Sequence, residues 1–140
     1  MTTITAPNSL SYVLETPAAP PHAAQAHFLG KLQFETDPAD VYTDMQHGET
    51  GFIVVDTRSA AAFAAGHIPG AMSLPHSTIS VEATASLPKD TLIVTYCWGP
   101  GCNAATKGAA KLAALGFTVK EMIGGIHAWK DEGYAVEESR

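Results

Sequence analysis

LIVTYCWGPGCN, residues 92 to 103, opens with a short continuous apolar run rich in β-branched residues and closes in a loop holding both cysteines of the chain, one of its two tryptophans and a Gly-Pro-Gly turn. A run of that kind predicts a strand covered on both faces, which is characteristic of a parallel sheet. Beyond it, Ala105, Gly108, Ala109, Leu112 and Leu115 recur at helical spacing from Asn103 to Leu115, with Lys107 and Lys111 on the other side and Gly116 as the C-terminal stop. Cys97 is therefore expected where a buried strand gives way to a helix. In a parallel α/β sheet that is the carboxyl edge, where ligands bind.

Working outward, FIVVD at 52 to 56 reads as a second buried strand. Asp37 before Pro38 predicts an N-cap and first-turn proline for a helix ending near His47 and Gly48. An Ala-rich helix fits 59 to 65, with Gly66 ending it and a strand at Ala71 to Leu74 after the Pro69-Gly70 turn. Phe117 to Ile123 is a strand candidate, and Gly125 to Glu132 a final helix carrying Trp129. Residues 1 to 21 carry four prolines and no apolar periodicity, so 1–30 reads as an N-terminal arm, irregular except for a short helix after Pro21, and 31–140 as the folded domain. Phe34 to Glu35 reads as a short extended piece. The alternation of strands and helices implies an α/β fold with a parallel sheet covered by helices.

Composition bounds the function. A length of 140 residues, 46% of them hydrophobic and 16% charged, suits one globular domain with a real core. A formal charge of −6 and the absence of any Lys or Arg cluster argue against nucleic acid and anionic membranes as partners. No apolar run approaches the ~20 residues that cross a bilayer. The first Lys or Arg is Lys31, so the charged start of a signal peptide is missing and a cytoplasmic protein is the simplest expectation.

Four chemistries could account for two cysteines within six residues: a disulfide staple, half of a metal site, a redox pair, or one nucleophile in a cradle. A structural disulfide is not expected in a reducing cytosol. A C-x4-C pair supplies two of the four ligands a structural zinc needs, with no second pair to complete the set, so neither metal nor cofactor is expected. Helix N-termini offer unpaired N–H groups and partial positive charge, which lower a thiol's pKa and hold anions. Gly99 and Gly101 let the backbone curl and Pro100 stiffens it, so the loop reads as an anion cradle around a Cys97 thiolate. The plainer reading of Cys97 is a small core hydrophobe at a strand end.

Over roughly residues 35 to 135 the chain resembles the rhodanese-like domains, the single-domain sulfurtransferases. The resemblance rests on VVDTR at 54 to 58, AFAAGHIPGAMSLP at 62 to 75, TYCWGPGCNAA at 95 to 105, KLAALGF at 111 to 117 and MIGGIHAW at 122 to 129, in this order. It implies a three-layer α/β fold with a central parallel five-stranded sheet flanked by helices. It also implies that Cys97 takes sulfane sulfur from a donor such as thiosulfate or a persulfide and passes it, as a Cys97 persulfide, to a thiophilic acceptor, which is covalent catalysis. Trp98, Gly99, Pro100, Gly101, Cys102 and Asn103 would then form the substrate cradle through their backbone amides. Asp56, Arg58 and His67 fall in the D-x-R and G-H-I-P-G-A elements as supporting residues, and His127 and Trp129 read as packing residues.

The loop departs from the family in having no Arg, Lys or Thr between Cys97 and Asn103, which predicts weak binding of a dianion such as thiosulfate. Trp98 adds apolar surface and suggests a less charged donor or a protein donor. The loop is similar in length to those of the related cell-cycle phosphatases and arsenate reductases, but Asn103 stands where their C-x5-R clamp needs an arginine. Cys102 could resolve a Cys97 persulfide or sulfenate through an intramolecular disulfide. The expected function is sulfur transfer between a small-molecule or protein donor and a thiol acceptor. The alternatives are a two-cysteine redox or sulfide sensor using Cys97 and Cys102, and a non-catalytic rhodanese-like binding module. An arm over residues 1–30 can cover a neighbouring subunit, which makes a homodimer compatible with the chain.

Overall fold

The structure is a computed structural model that describes residues 11–139. The chain divides into two compact units, Met1–Leu32 and Gln33–Arg140. In the first, residues 1–10 lie outside the described residues and residues 11–20 form neither helix nor strand. The helix expected after Pro21 is longer than its sequence suggests: α1 runs Pro21–Phe34, taking in the Phe34 that reads as extended. No glycine or proline stands between Leu32 and Phe34 to stop it earlier, and Gly30 within it has open space where a Cβ would be.

In the second unit the strands are β1 (Glu35–Thr36), β2 (Phe52–Asp56), β3 (Met72–Ser73), β4 (Leu92–Tyr96) and β5 (Val119–Met122). They form one sheet in the order β1-β5-β4-β2-β3, and each neighbouring pair is parallel. The central pair is in register from Phe52↔Leu92 to Asp56↔Tyr96. Alternate residues of β2 and β4 enter two separate cores, which is why both strands are apolar without a break. Val54, Val94 and Tyr96 pack with Val41, Met122, Ile126 and Trp129, under α2 (Pro38–Gln46) and α5 (Gly125–Asp131). Val55 and Ile93 pack with Leu74, Leu87, Leu112 and Phe117, under α4 (Ala104–Ala114). These are the three layers of the expected fold.

The helix starts follow local chemistry. Asp37 caps α2 by accepting from Asp40 N at 2.9 Å, with Pro38 in the first turn. Ser59 caps α3 (Ala60–Ala65) by accepting from Ala62 N at 3.1 Å. Gly116 follows α4 in the left-handed region, at φ 96°. A 3-10 helix at His76–Thr78 follows β3 and is tied to α4 by Lys111 Nζ donating to His76 O at 2.9 Å. Among the described residues no helix is long and apolar enough to cross a membrane.

Candidate functional site

The carboxyl ends of β2 and β4 are held by one buried polar network. Asp56 receives Arg58 Nη2 at 2.6 Å and the Tyr96 hydroxyl at 2.7 Å on the same oxygen, and the Arg58 backbone N–H on the other at 2.9 Å. Arg58 also donates to Gly66 O at 2.7 Å, and the Tyr96 oxygen accepts from Ile68 N at 3.1 Å. The D-x-R element thus ties the G-H-I-P-G-A turn to the strand that ends at the cysteine. The Arg58 side chain is 2% exposed and Asp56 fully buried, and removing either partner would strand a buried charge. Burial opposes the Arg58 charge, but the bonds to Asp56 outweigh it and hold its pKa above the ordinary arginine value. Burial, then the adjacent carboxylate, raises the Tyr96 phenol far above its ordinary range, so it remains a donor.

His67 is a structural residue of this turn. It is buried, stacks on Phe63 with 3.7 Å between ring centroids, and places Nδ1 2.8 Å from Phe63 O. Its Nε2 lies 3.2 Å from Glu137 Oε2, and backbone bonds in both directions join His67 to Glu137.

Beyond Tyr96 the chain enters the loop. Thr95 Oγ1 donates to Ala105 O at 3.0 Å, which fastens the strand end to the first turn of α4. On the other side the loop lies against the start of α5: Ile126 N donates to Cys97 O and His127 N to Trp98 O, both at 2.9 Å. Gly125 makes this approach possible. A Cβ there would come within 2.6 Å of Cys97 O and of Trp98 C and 2.7 Å of Gly99 N, and its φ is +61°.

The glycines of the loop itself are used differently from the sequence expectation. Neither Gly99 nor Gly101 has a positive φ. Gly99 lies against the side chain of the exposed His127, whose Nδ1 would be 2.9 Å from an added Cβ, whereas Gly101 has open space around it. His127 is consequently a neighbour of the loop rather than a packing residue: it is exposed, beside Gly99 and 5.9 Å from the Trp98 ring centroid. Trp129 does pack, 1% exposed, with Nε1 donating to Ala135 O.

Cys97 is 3% exposed and directs Sγ to Cys102 O at 3.4 Å. The expected lowering of its pKa by the helix N-terminus is not what the structure produces. Burial raises the Cys97 thiol above its ordinary value; the Ala105 backbone N–H opposes this, and the Cys102 side chain adds to it. At Cys102, which is less buried, burial is outweighed by the backbone N–H groups of Ala104 and Trp98, by Cys97 and by the charge of Lys107, so that thiol falls below its ordinary value. The backbone N–H groups that act on the two thiols are those of Trp98, Ala104 and Ala105. Cys102 N donates to Gly99 O at 3.0 Å, and Asn103, exposed at the N-cap of α4, makes no side-chain cap bond.

Two cavities flank the loop. One, of about 490 Å³, is lined by Cys97, Gly99, Pro100 and Cys102 on the loop side and by Asp37 and Glu121 among residues of the opposite wall. The other, of about 410 Å³, holds Trp98, Arg58, His76 and again Cys102. Trp98 is 43% exposed with the Arg58 guanidinium carbon 4.4 Å from its ring centroid, so it turns away from the Cys97 cavity. The six loop residues named from the sequence are therefore together, but Trp98, Gly101 and Asn103 do not line the cavity that holds the nucleophile candidate. Sequence reasoning missed Thr95, Tyr96, Asp37 and Glu121. Of these only Tyr96, a hydroxyl at the end of an aliphatic strand, carries a visible signal. Among the described residues no three His, Cys, Asp or Glu side chains are grouped to hold a metal.

The Rhodanese-like domain family matches this chain over residues 37–132, and the chain belongs to that family. It is 37% identical over 100 residues to a thiosulfate sulfurtransferase GlpE of Pseudomonas putida, covering 70% of this chain and 86% of that one. It is 31% identical over 115 residues to an HTH-type transcriptional regulator of Mycobacterium tuberculosis, where the match takes in 82% of this chain but only half of the regulator. Among solved structures, a Bacillus halodurans protein superposes with a TM-score of 0.84 at 50% identity, over 85% of this chain and 87% of that one. The rhodanese-like domain of an Anabaena protein superposes at 0.68 with 30% identity, over 74% and 78%.

Proposed function

We propose that the protein is a sulfurtransferase that carries sulfane sulfur on Cys97. The observation that carries this reading is the placement of Cys97: at the carboxyl end of the central strand, beside a cavity, with the Ala105 and Trp98 backbone N–H groups at its sulfur. The Cys97 thiolate attacks the outer sulfur of a persulfide donor, a new S–S bond forms, and the donor leaves as its thiolate. With thiosulfate the leaving group is sulfite. An acceptor thiolate then takes the outer sulfur and restores the Cys97 thiolate, so two half-reactions share one covalent intermediate. The N–H groups stabilise the anionic sulfur in both states. This chemistry suits a reducing, cytoplasmic setting.

Intact mass after incubation with a persulfide donor or thiosulfate is the direct test. Wild type should gain one sulfur atom and Cys97→Ser none. Equal spectra for the two would refute the proposal.

The contact between the two cysteines supports a second reading. In it the Cys102 thiolate attacks the Cys97 sulfur of the persulfide, forming a Cys97–Cys102 disulfide and expelling hydrosulfide. An external dithiol reductant would be needed to restore the pair. Both thiols line one cavity and interact directly, which supports such a step. In that case wild type would lose two hydrogens after donor treatment and Cys102→Ser would hold the persulfide. A persulfide equally long-lived in wild type and Cys102→Ser would exclude the disulfide route.

A further inference from the structure

The walls of the Cys97 cavity have a definite charge. The loop side contributes two thiols and backbone, and the opposite side is built from the end of β5, the start of α5 and the start of α2. Its ionisable walls are two carboxylates, Asp37 and Glu121, and no Lys, Arg or His is among the lining residues. Each carboxylate is positioned by one bond. Glu121 Oε1 accepts from Thr106 Oγ1 at 2.8 Å, and Asp37 Oδ1 accepts from Asp40 N at 2.9 Å. In both, the other oxygen has no hydrogen-bond partner among the described residues. Two cations stand nearby. Lys107 is not among the lining residues, although its charge is felt at Cys102, and Arg58 lies in the second cavity and is neutralised by Asp56. The rest of the lining is Met122, Ile123, Ala128, prolines and glycines, so the space is apolar apart from the thiols and the carboxylates.

We infer that the sulfur donor this cavity accepts is a small alkyl persulfide bearing an ammonium group, and that Asp37 and Glu121 select it over inorganic dianions. The inference rests on the sulfur-transfer reading of Cys97. An ammonium a few bonds from the sulfane sulfur meets the two carboxylates while its alkyl chain lies on Met122 and Ile123. A dianion reaching the same thiol meets two like charges in the cavity wall, where the lining offers only backbone dipoles in compensation and Lys107 acts from outside it. The transfer balances without a co-reactant: the Cys97 thiolate bonds to the outer sulfur, the S–S bond of the donor breaks, and the donor departs as an ammonium thiolate.

The charge selectivity is tested apart from turnover by two methanethiosulfonates of similar size, one carrying a trimethylammonium and one a sulfonate. In Cys102→Ser, which leaves Cys97 as the single thiol, the ratio of cation to anion modification rates should exceed that of the same chain in urea by roughly tenfold, the scale expected of two carboxylates partly screened by water. Glu121→Gln and Asp37→Asn should each lower the ratio about threefold, on the same screened-charge scale. Both replacements keep an acceptor, for Thr106 and for the α2 cap respectively. Glu121→Lys should invert the preference. In turnover, cysteamine persulfide should surpass thiosulfate in kcat/KM for wild type, with the gap closing in Glu121→Lys. A folded-state ratio equal to that in urea, or one unmoved by both neutralising substitutions, would overturn the inference. A ratio that responds as expected in a protein that takes sulfur from neither donor would refute the sulfur-transfer reading and the donor assignment with it, leaving only a cation-selective cavity.

Discussion

Gly125→Ala tests the account of how the loop is held. The new Cβ would lie 2.6–2.7 Å from three backbone atoms of Cys97, Trp98 and Gly99, none of which can rotate aside. It would also sit at φ +61°, where an L side chain costs about 1–2 kcal/mol. Relief of the clash requires the loop to lift from α5, weakening the bonds from Ile126 N to Cys97 O and His127 N to Trp98 O. At about 1 kcal/mol for each, the total loss is about 3–4 kcal/mol. Gly133→Ala is the control, because its φ is +84° but nothing lies within 4 Å of the added Cβ, so it isolates the backbone term. Chemical denaturation should show Gly125→Ala less stable than Gly133→Ala by about 2 kcal/mol, the two hydrogen bonds. Iodoacetamide should label Cys97 several-fold faster in Gly125→Ala at equal folded fraction, since the loop no longer covers a thiol that is 3% exposed. Equal stabilities together with unchanged labelling would refute the idea that Gly125 allows the contact that holds the loop.

Two other outcomes follow from the same geometry. Tyr96→Phe removes a buried hydroxyl that donates to Asp56 and accepts from Ile68 N, so stability should fall by about 1–3 kcal/mol, read by urea melts; a change under 0.5 kcal/mol would mean that the network tolerates the loss. The Cys97 thiol is raised by burial and further by Cys102, so its alkylation rate should keep increasing with pH beyond the range of an ordinary cysteine. Cys102→Ala removes one raising cause, which moves the Cys97 profile to lower pH and speeds labelling at neutrality; a profile unmoved by the substitution would show that the thiols do not interact.

The fold was legible because its central strands are unambiguous. FIVVD and LIVTY bury both faces, and an uninterrupted apolar run has few other uses in a short chain. The cap at Asp37 was equally readable, since a short polar side chain before a helix serves the backbone beside it in sequence, whereas Ser59, read as part of its helix, caps it. What stayed hidden depends on contacts between distant segments. Glu121 reads as the polar residue of a short strand, and only the packing of β5 beside β4 brings it to the cavity of Cys97. The neighbour of Gly99 is His127, from a distant part of the sequence. The direction of the Cys97 shift was missed for a related reason: the helix N-terminus is a local feature, whereas burial is assembled from the loop, α4 and α5 together. Motif matching located the nucleophile candidate, but its charge environment comes from residues outside the motif.

The burial of Cys97 and the openness of its cavity place opposite demands on a sulfur carrier, and the proposed chemistry reconciles them. A thiol only 3% exposed is shielded from bulky oxidants and large partners, and its raised pKa limits thiolate in the resting protein. A small donor can still reach it through the cavity. Once loaded, the persulfide places the transferable sulfur about 2 Å beyond Sγ, the length of an S–S bond, so an acceptor meets the outer sulfur without entering as deeply as the donor did. On the proposed chemistry the donor would be screened by the half-buried Asp37 and Glu121, and the acceptor by the exposed Pro100 and Ile123. Changes at the carboxylates should act on the loading half-reaction, and changes at Pro100 and Ile123 on the discharge half-reaction.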